Sequence, residues 1–281
     1  EMFLYETGAG TPAIGAAIYP LDSVAARHEI QCYFTIDPTG DSFLSTSHAF
    51  DDAVEGIIHR AADLDDDNLY DLIVVENDAI EVYTTADALP GEAYAVASYS
   101  TPASFMPIWG AIDVNDLNGD DELDIAFGMQ NNTDDDYRLG VWTNGTTGIA
   151  PYESSISPNL VATGNLNTAN EPEILVSDAS SYDIFLRTGE VYTPQGSVLT
   201  DVSYLTATTS DINGDTYPDL LAASPNALTV RYGDQNGDFG TELQLEALPG
   251  TTTVAQFAEL TGDEYIDLVI TGGWGSQDSF F

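Results

Sequence analysis

Residues 116–128 read DLNGDDELDIAFG, with acids or amides at the first, third, fifth and ninth positions and a short apolar run directly after them. Such a stretch joins a tight polar turn to a buried β-strand. The pattern returns along the chain, as DLDDDNLYDLIVV from Asp63, DINGDTYPDLLAA from Asp211 and ELTGDEYIDLVIT from Glu259. A fifth stretch, NLNTANEPEILVS from Asn165, keeps the frame and loses most of the acids. The ninth positions are Asp71, Asp124, Glu173, Asp219 and Asp267, separated by 53, 49, 46 and 48 residues. That regularity marks one supersecondary unit used repeatedly, and its length suits four short strands.

The strand pattern around each loop is the same. A short apolar stretch precedes it, such as IIHRAA or VAQFAE, and LIVV, IAFG, ILVS, LLAA or LVIT follows. A third strand comes next, in AIEVYTT, YRLGVWTN, YDIFLRTG and ALTVRYGD, and then a turn and a fourth. No sustained period of 3.6 residues appears, so the fold is expected to be all-β. The expectation is a β-propeller of about six four-stranded blades, with seven as the alternative, and with the acidic loops between first and second strands. One domain, 1–281, divides into 1–52, 53–100, 101–156, 157–203 (with the degenerate loop), 204–250 and 251–281. QCYFTIDPTGDSFLSTSHAF in the first segment resembles the third strand, turn and fourth strand of a unit, so 1–52 reads as a blade whose metal loop is lost. The last segment is partial or closing: either the strand around Met2 to Glu6 completes the ring there, or the chain is cut short.

Composition narrows the function. The chain has 281 residues, 47 acids against 5 basic residues, and a formal net charge of -42; all five basic residues are arginines. That charge repels itself, so bound cations or a salty medium must offset it. Nucleic acid and anionic membranes are excluded as natural partners, because phosphate recognition needs a basic face. Cys32 stands alone, so neither an intrachain disulfide nor a thiolate zinc site is available. No apolar run is long enough for a membrane-spanning helix. No signal peptide is visible, and a start at Glu1 would suit a processed, secreted protein.

The loops carry the chemistry. Oxygens at the first, third, fifth and ninth positions converge on one point, as in the first half of an EF-hand loop, and a backbone carbonyl near the seventh adds another. Calcium wants 6–8 oxygens at about 2.3–2.6 Å; magnesium demands stricter geometry, and transition metals prefer His or Cys. The ligand sets are Asp63, Asp65, Asp67 and Asp71; Asp116, Asn118, Asp120 and Asp124; Asp211, Asn213, Asp215 and Asp219; and Glu259, Thr261, Asp263 and Asp267. Leu69, Glu122, Tyr217 and Tyr265 supply the carbonyls. The fourth set is weakened by an uncharged threonine. Asn165, Asn167 and Glu173 form a poor set, since Ala169 has no oxygen to offer. Three to four calcium ions are therefore expected, as structural ions. Gly119, Gly214 and Gly262 sit where the turn needs a permissive backbone, and Asp66 takes that place in the first loop. DQNGDFGTE from Asp234 has matching spacing but falls where a third-to-fourth-strand hairpin belongs, as does DPTGD from Asp37.

The pattern D-x-N-G-D-x-x-x-D followed by an apolar run resembles the FG-GAP or VCBS repeat, over roughly residues 53–274. Integrin alpha-subunit heads, some fungal lectins and many bacterial surface proteins look similar. The resemblance implies a calcium-binding propeller with its ions between the first and second strands of a blade.

Catalytic patterns are missing. No G-x-S-x-G elbow, H-E-x-x-H or phosphate-cradling glycine loop occurs, and His28, His48 and His59 have no evident nucleophile partner. The chain is thus expected to be no enzyme. Its expected role is adhesion or ligand binding at the cell surface or outside it, with an extracellular protein or glycan as partner. Trp109, Trp142 and Trp274 are candidate sugar platforms, although strand aromatics are usually core. The alternatives are a subunit of an extracellular filament, sheath or surface layer, which would self-associate, and a non-catalytic accessory domain of a polysaccharide-active protein. Asn131 and Asn144 head the sequons NNT and NGT and are candidate glycosylation sites.

Overall fold

A computed structural model describes residues 2–7, 11–18, 29–35, 43–49, 57–66, 71–76, 78–84, 95–166, 172–178, 180–196, 198–199, 204–234, 238–248, 252–258, 267–274 and 277–278. Among the described residues there is no helix, and so none long and apolar enough to cross a membrane. The described strands form six antiparallel sheets. The first holds β1 (Met2–Thr7), β2 (Thr11–Ile18), β3 (Glu29–Thr35) and β4 (Phe43–Ala49); the second β5 (Ile57–Ala62), β6 (Asp71–Val75), β7 (Ala79–Thr84) and β8 (Ala95–Ser100). The third holds β9 (Phe105–Asn115), β10 (Asp124–Asn131), β11 (Tyr137–Trp142) and β12 (Ile149–Ser154). The fourth holds β13 (Leu160–Gly164), β14 (Glu173–Ser177), β15 (Ser181–Thr188) and β16 (Val191–Pro194), with β17 (Val198–Leu199) also paired to β15. The fifth holds β18 (Thr206–Ser210), β19 (Asp219–Ala223), β20 (Ala227–Arg231) and β21 (Leu243–Ala247). The sixth has three described strands, β22 (Thr252–Ala258), β23 (Asp267–Trp274) and β24 (Gln277–Asp278).

Apart from β17, each sheet is a meander whose neighbours in sequence are neighbours in space. The first strands also meet one another in turn: β1 lies beside β5, β5 beside β9, β9 beside β13, β13 beside β18 and β18 beside β22. This is the arrangement of a β-propeller, with first strands inside and fourth strands outside. The strand around Met2 to Glu6 pairs along its length with β2, Met2 opposite Ala16 and Thr7 opposite Thr11, and among the described residues it pairs with no strand of the sixth sheet. The short link at residues 8–10 makes that local pairing cheaper than a long-range closure.

The cores lie between sheets, which explains the continuous apolar runs of the second strands. Side chains alternate along β10: Ile125, Phe127 and Met129 pack toward Ile73, Val75, Ile80 and Val82 of the second sheet. Ala126 faces the other way, toward Ile174, Val176 and Phe185 of the fourth. A strand buried on both faces has no solvent side to spend on polar residues. The next interface is built from Leu175 and Tyr182 against Tyr204, Leu220 and Ala222. Packing beside β10 is so close that a Cβ at Gly128 would clash with the Pro158 carbonyl oxygen.

Candidate metal centres

Each described acidic loop joins a first strand to a second: β5 to β6, β9 to β10, β13 to β14 and β18 to β19. Of the sequence-predicted ligands, Asp67, Leu69, Glu259, Thr261, Asp263 and Tyr265 lie outside the described residues, as do Asn167, Ala169 and Gly262. Only the backbone of Asp267 is described, at the start of β23. In the first loop, carboxylate oxygens of Asp63, Asp65 and Asp71 all lie within 4.8 Å of one another. That is the spacing at which three carboxylates share one cation or repel one another.

The second loop shows how the turn is built. Asp116 Oδ1 accepts the N–H groups of Asn118 (3.3 Å), Gly119 (2.7 Å) and Asp120 (3.2 Å), and its Oδ2 accepts that of Asp121 at 3.0 Å. Asp120 Oδ1 accepts the Glu122 N–H at 3.0 Å, and Asp120 Oδ2 accepts Asn118 Nδ2 at 2.8 Å. The third loop repeats this. Asp211 Oδ1 takes Gly214 and Asp215, its Oδ2 takes Thr216, and Asp215 takes Tyr217 and Asn213 Nδ2. The fourth and sixth positions are left-handed: Gly119 and Gly214 have φ of 80° and 79°, and Asp121 and Thr216 have 68° and 78°. Asp66 holds the fourth position of the first loop at 58°. The permissive residue is thus required where the sequence placed it, while the left-handed sixth position is a feature that sequence reasoning missed. A β-branched threonine there carries strain.

The ninth carboxylate plays a further part. Asp71, Asp124 and Asp219 are fully buried and Glu173 nearly so. Each accepts the N–H of the loop's second residue: Leu64 at 2.9 Å, Leu117 at 3.0 Å, Leu166 at 2.7 Å and Ile212 at 2.9 Å. The second oxygen reaches the end of the third strand, where Asn144 N–H donates to Asp124 Oδ1 at 2.8 Å and Gly233 N–H to Asp219 Oδ1 at 3.0 Å. So the ninth residue is a backbone clamp as well as a ligand candidate, and the degenerate loop keeps the clamp through Glu173. The signal was present in the frame, since an acid survives at position 173 where other acids are lost. The second position was also missed as a packing residue. Leu64, Leu117 and Leu166 are 6, 1 and 2% exposed, whereas Ile212 is 42% exposed.

Electrostatics follow from this geometry. Burial raises the Asp116 pKa, but the N–H groups of Gly119, Asp121, Asp120 and Asn118 outweigh it and hold the carboxyl below its usual range. At Asp124 burial dominates over the N–H groups of Asn144 and Leu117, and the charges of Asp120 and Asp116 add to it, so its pKa is pushed up to about 6.

The residues fit a hard cation. The donors are all oxygens, and those that accept a single N–H, such as Asp116 Oδ2 and Asp120 Oδ1, keep a lone pair for a metal. Asn118 Oδ1, at the third position, is buried from solvent and has no hydrogen-bond partner. Buried acceptors without a donor are rare and costly, and a cation in the loop would satisfy this one.

Elsewhere the structure narrows the alternatives. Around the stretch from Asp234, Gly233 pairs with Phe239, and Glu242 is engaged by the Tyr204 hydroxyl at 2.5 Å and by Arg231 at 3.4 Å. Trp142 is 3% exposed and packs on Tyr99 with ring centroids 4.6 Å apart, so it is core and no sugar platform. The side chains of Trp109, Trp274, His28, His48 and His59 lie outside the described residues, as does the turn at Asp37.

Residues 211–270 match the model of the FG-GAP-like repeat. The fold is similar to that of BBS1N in its complex with ARL6DN, at 14% identity over 96% of this chain and 75% of that one, with a TM-score of 0.59. It is similar to an Agrocybe aegerita lectin solved for its recognition of non-reducing terminal N-acetylglucosamine, at 13% identity over 100% and 79% of the two chains, TM-score 0.58. The Dos1 propeller is similar at 14% identity over 95% and 63%, TM-score 0.53. No curated protein matches the chain. Likeness at these identities speaks to fold alone. The chain is a β-propeller that carries an FG-GAP-like repeat.

Proposed function

We propose that this protein is a calcium-stabilised, non-catalytic propeller that binds a glycan or protein ligand outside the cell. The observation that carries the calcium part is the loop geometry: oxygen-only donor sets recur at one place in successive sheets, and Asn118 Oδ1 is buried without a donor. The ion would be held by the acids and amides at the first, third, fifth and ninth positions, with the carbonyls of Leu69, Glu122, Tyr217 and Tyr265. When bound it would supply charge neutralisation in a chain of net charge -42. Extracellular calcium is abundant enough to fill sites of modest affinity, which supports placement outside the cell.

The binding part draws support from the lectin neighbour and from the rigid scaffold, which presents loops at both ends of the blades. A glycan array probed at saturating calcium tests it. Calcium-dependent retention on a defined set of sugars is the expected result; no hit on the array, with the protein folded, would remove the glycan arm and leave a protein ligand.

One observation favours self-assembly as a second reading. All five residues of β21 are exposed, Leu243 at 46% and Leu245 at 47%. An exposed outer strand with two leucines and no proline is an edge open to pairing. Sedimentation at high calcium separates the readings: a monomer at all concentrations rules assembly out.

A further inference from the structure

Asn144 touches two acidic loops at once. Its backbone N–H donates to Asp124 Oδ1, the ninth position of the second loop, at 2.8 Å. Its side-chain Nδ2 donates to the carbonyl oxygen of Leu64, in the first loop, at 2.6 Å. Leu64 in turn donates its N–H to Asp71 Oδ2, the ninth position of that first loop, at 2.9 Å. The two ninth-position carboxylates, both fully buried, are therefore joined by an unbroken path that runs Asp124, Asn144, Leu64, Asp71. The side-chain oxygen of Asn144 is engaged too, accepting Gly145 N–H at 2.8 Å. That second contact fixes the amide so that Nδ2 points across the interface between sheets.

The fifth sheet provides an internal comparison. Gly233 stands two residues after Arg231, which pairs with Leu220, just as Asn144 stands two after Trp142, which pairs with Ile125. Gly233 makes the same backbone bond to the ninth carboxylate, Asp219, at 3.0 Å. It has no side chain to reach back to the preceding loop, and that loop is the degenerate one from Asn165. The acid-rich first loop is met by the Asn144 side chain, and the degenerate loop is met by a glycine.

We propose that Asn144 is a positioning residue that couples the first two cation sites, so that filling the second loop preorganises the first. The proposal rests on the calcium reading of the loops. A cation in the second loop fixes Asp124, which fixes the Asn144 backbone and aims its amide at Leu64. Leu64 then holds Asp71 in place for the first loop. Coupling of this kind needs a contiguous path and a demonstration that both ends feel it.

The test is hydrogen–deuterium exchange of the peptide covering residues 63–71, followed through a calcium titration. It is run on the wild-type chain, on D120A, which disables the second loop without touching the path, on Asn144→Gly, and on the double variant. Glycine removes the strut and keeps the N–H bond, as Gly233 does; N144A serves as a second version of the same deletion should N144G fold poorly. With Asn144 present, D120A raises the calcium midpoint of protection at 63–71 by roughly three- to tenfold, the equivalent of about one net hydrogen bond. In the N144G background D120A changes that midpoint by less than about twofold. An equal shift in both backgrounds, or no shift in either, overturns the proposal while leaving calcium binding intact. Absence of any calcium-dependent protection in the wild type is a different outcome, and it overturns the calcium reading and the strut together.

Discussion

The Tyr192 hydroxyl donates to the carbonyl oxygen of Leu117 at 2.9 Å, so a residue of the fourth sheet caps the acidic loop of the third. Tyr192 lies edge-on to Tyr152, with ring centroids 5.5 Å apart, and both belong to the interface between those sheets. Loop and interface are thus one packing unit. Removing the hydroxyl by Tyr192→Phe keeps the ring and orphans a buried carbonyl. A loss of about 1–2 kcal/mol is expected from denaturant unfolding, in calcium and in chelator alike. An unchanged midpoint would mean that the Leu117 carbonyl finds another partner.

The fifth and ninth positions of a loop separate by their response to calcium. Asp124→Ala leaves the N–H groups of Leu117 and Asn144 without an acceptor in a buried place, and a loss of about 2–4 kcal/mol is expected even in chelator. Asp120 is exposed and bonds only within its turn. Asp120→Ala therefore leaves the chelated protein within about 0.5 kcal/mol of wild type and lowers the melting point only when calcium is present. Thermal melts of both variants with and without calcium check the contrast.

In the degenerate loop Glu173 accepts the Leu166 N–H at 2.7 Å. Glu173→Gln keeps an oxygen for the Leu166 N–H and is expected to cost less than Glu173→Ala, which costs about 1–3 kcal/mol. Neither effect should depend on calcium. A calcium-dependent difference between the two variants would mean that this loop holds an ion after all.

The sequons behave differently in the fold. Asn144 spends its amide on Leu64 and sits half-buried, while Asn131 opens a hairpin whose residues 132–135 are exposed. Expression in a glycosylating secretory host should give glycan at Asn131 and none at Asn144, read by peptide mass spectrometry. Glycan at Asn144 would show that the contact to Leu64 is readily broken.

Much of this was legible in the chain. The frame that recurs from Asp63 to Asp267 located each described loop between a first and a second strand, because polar turns and two-sided apolar strands leave distinct local signatures. Gly119 and Gly214 could be assigned to left-handed positions for the same reason. What could not be read was the pairing across sheets. Asn144 and Leu64 are separated by 80 residues, and no local rule says that an amide in one turn finds a carbonyl in another loop. The burial of the ninth carboxylates was hidden too, because the same residue type serves as a ligand and as a clamp. The fate of Met2–Thr7 depended on a competition between a short link and a long closure, and the sequence showed both as strands.

Calcium removal tests the central claim most directly. At about 100 times its Kd each ion adds about 2.7 kcal/mol to the folded state, and three to four ions act together. A thermal melt of the full chain in millimolar calcium and in excess EGTA, with bound calcium counted by elemental analysis, is the measurement. Three to four ions per chain and a fall in Tm of about 10 °C or more on chelation are predicted; no bound calcium and an unchanged Tm would contradict the account.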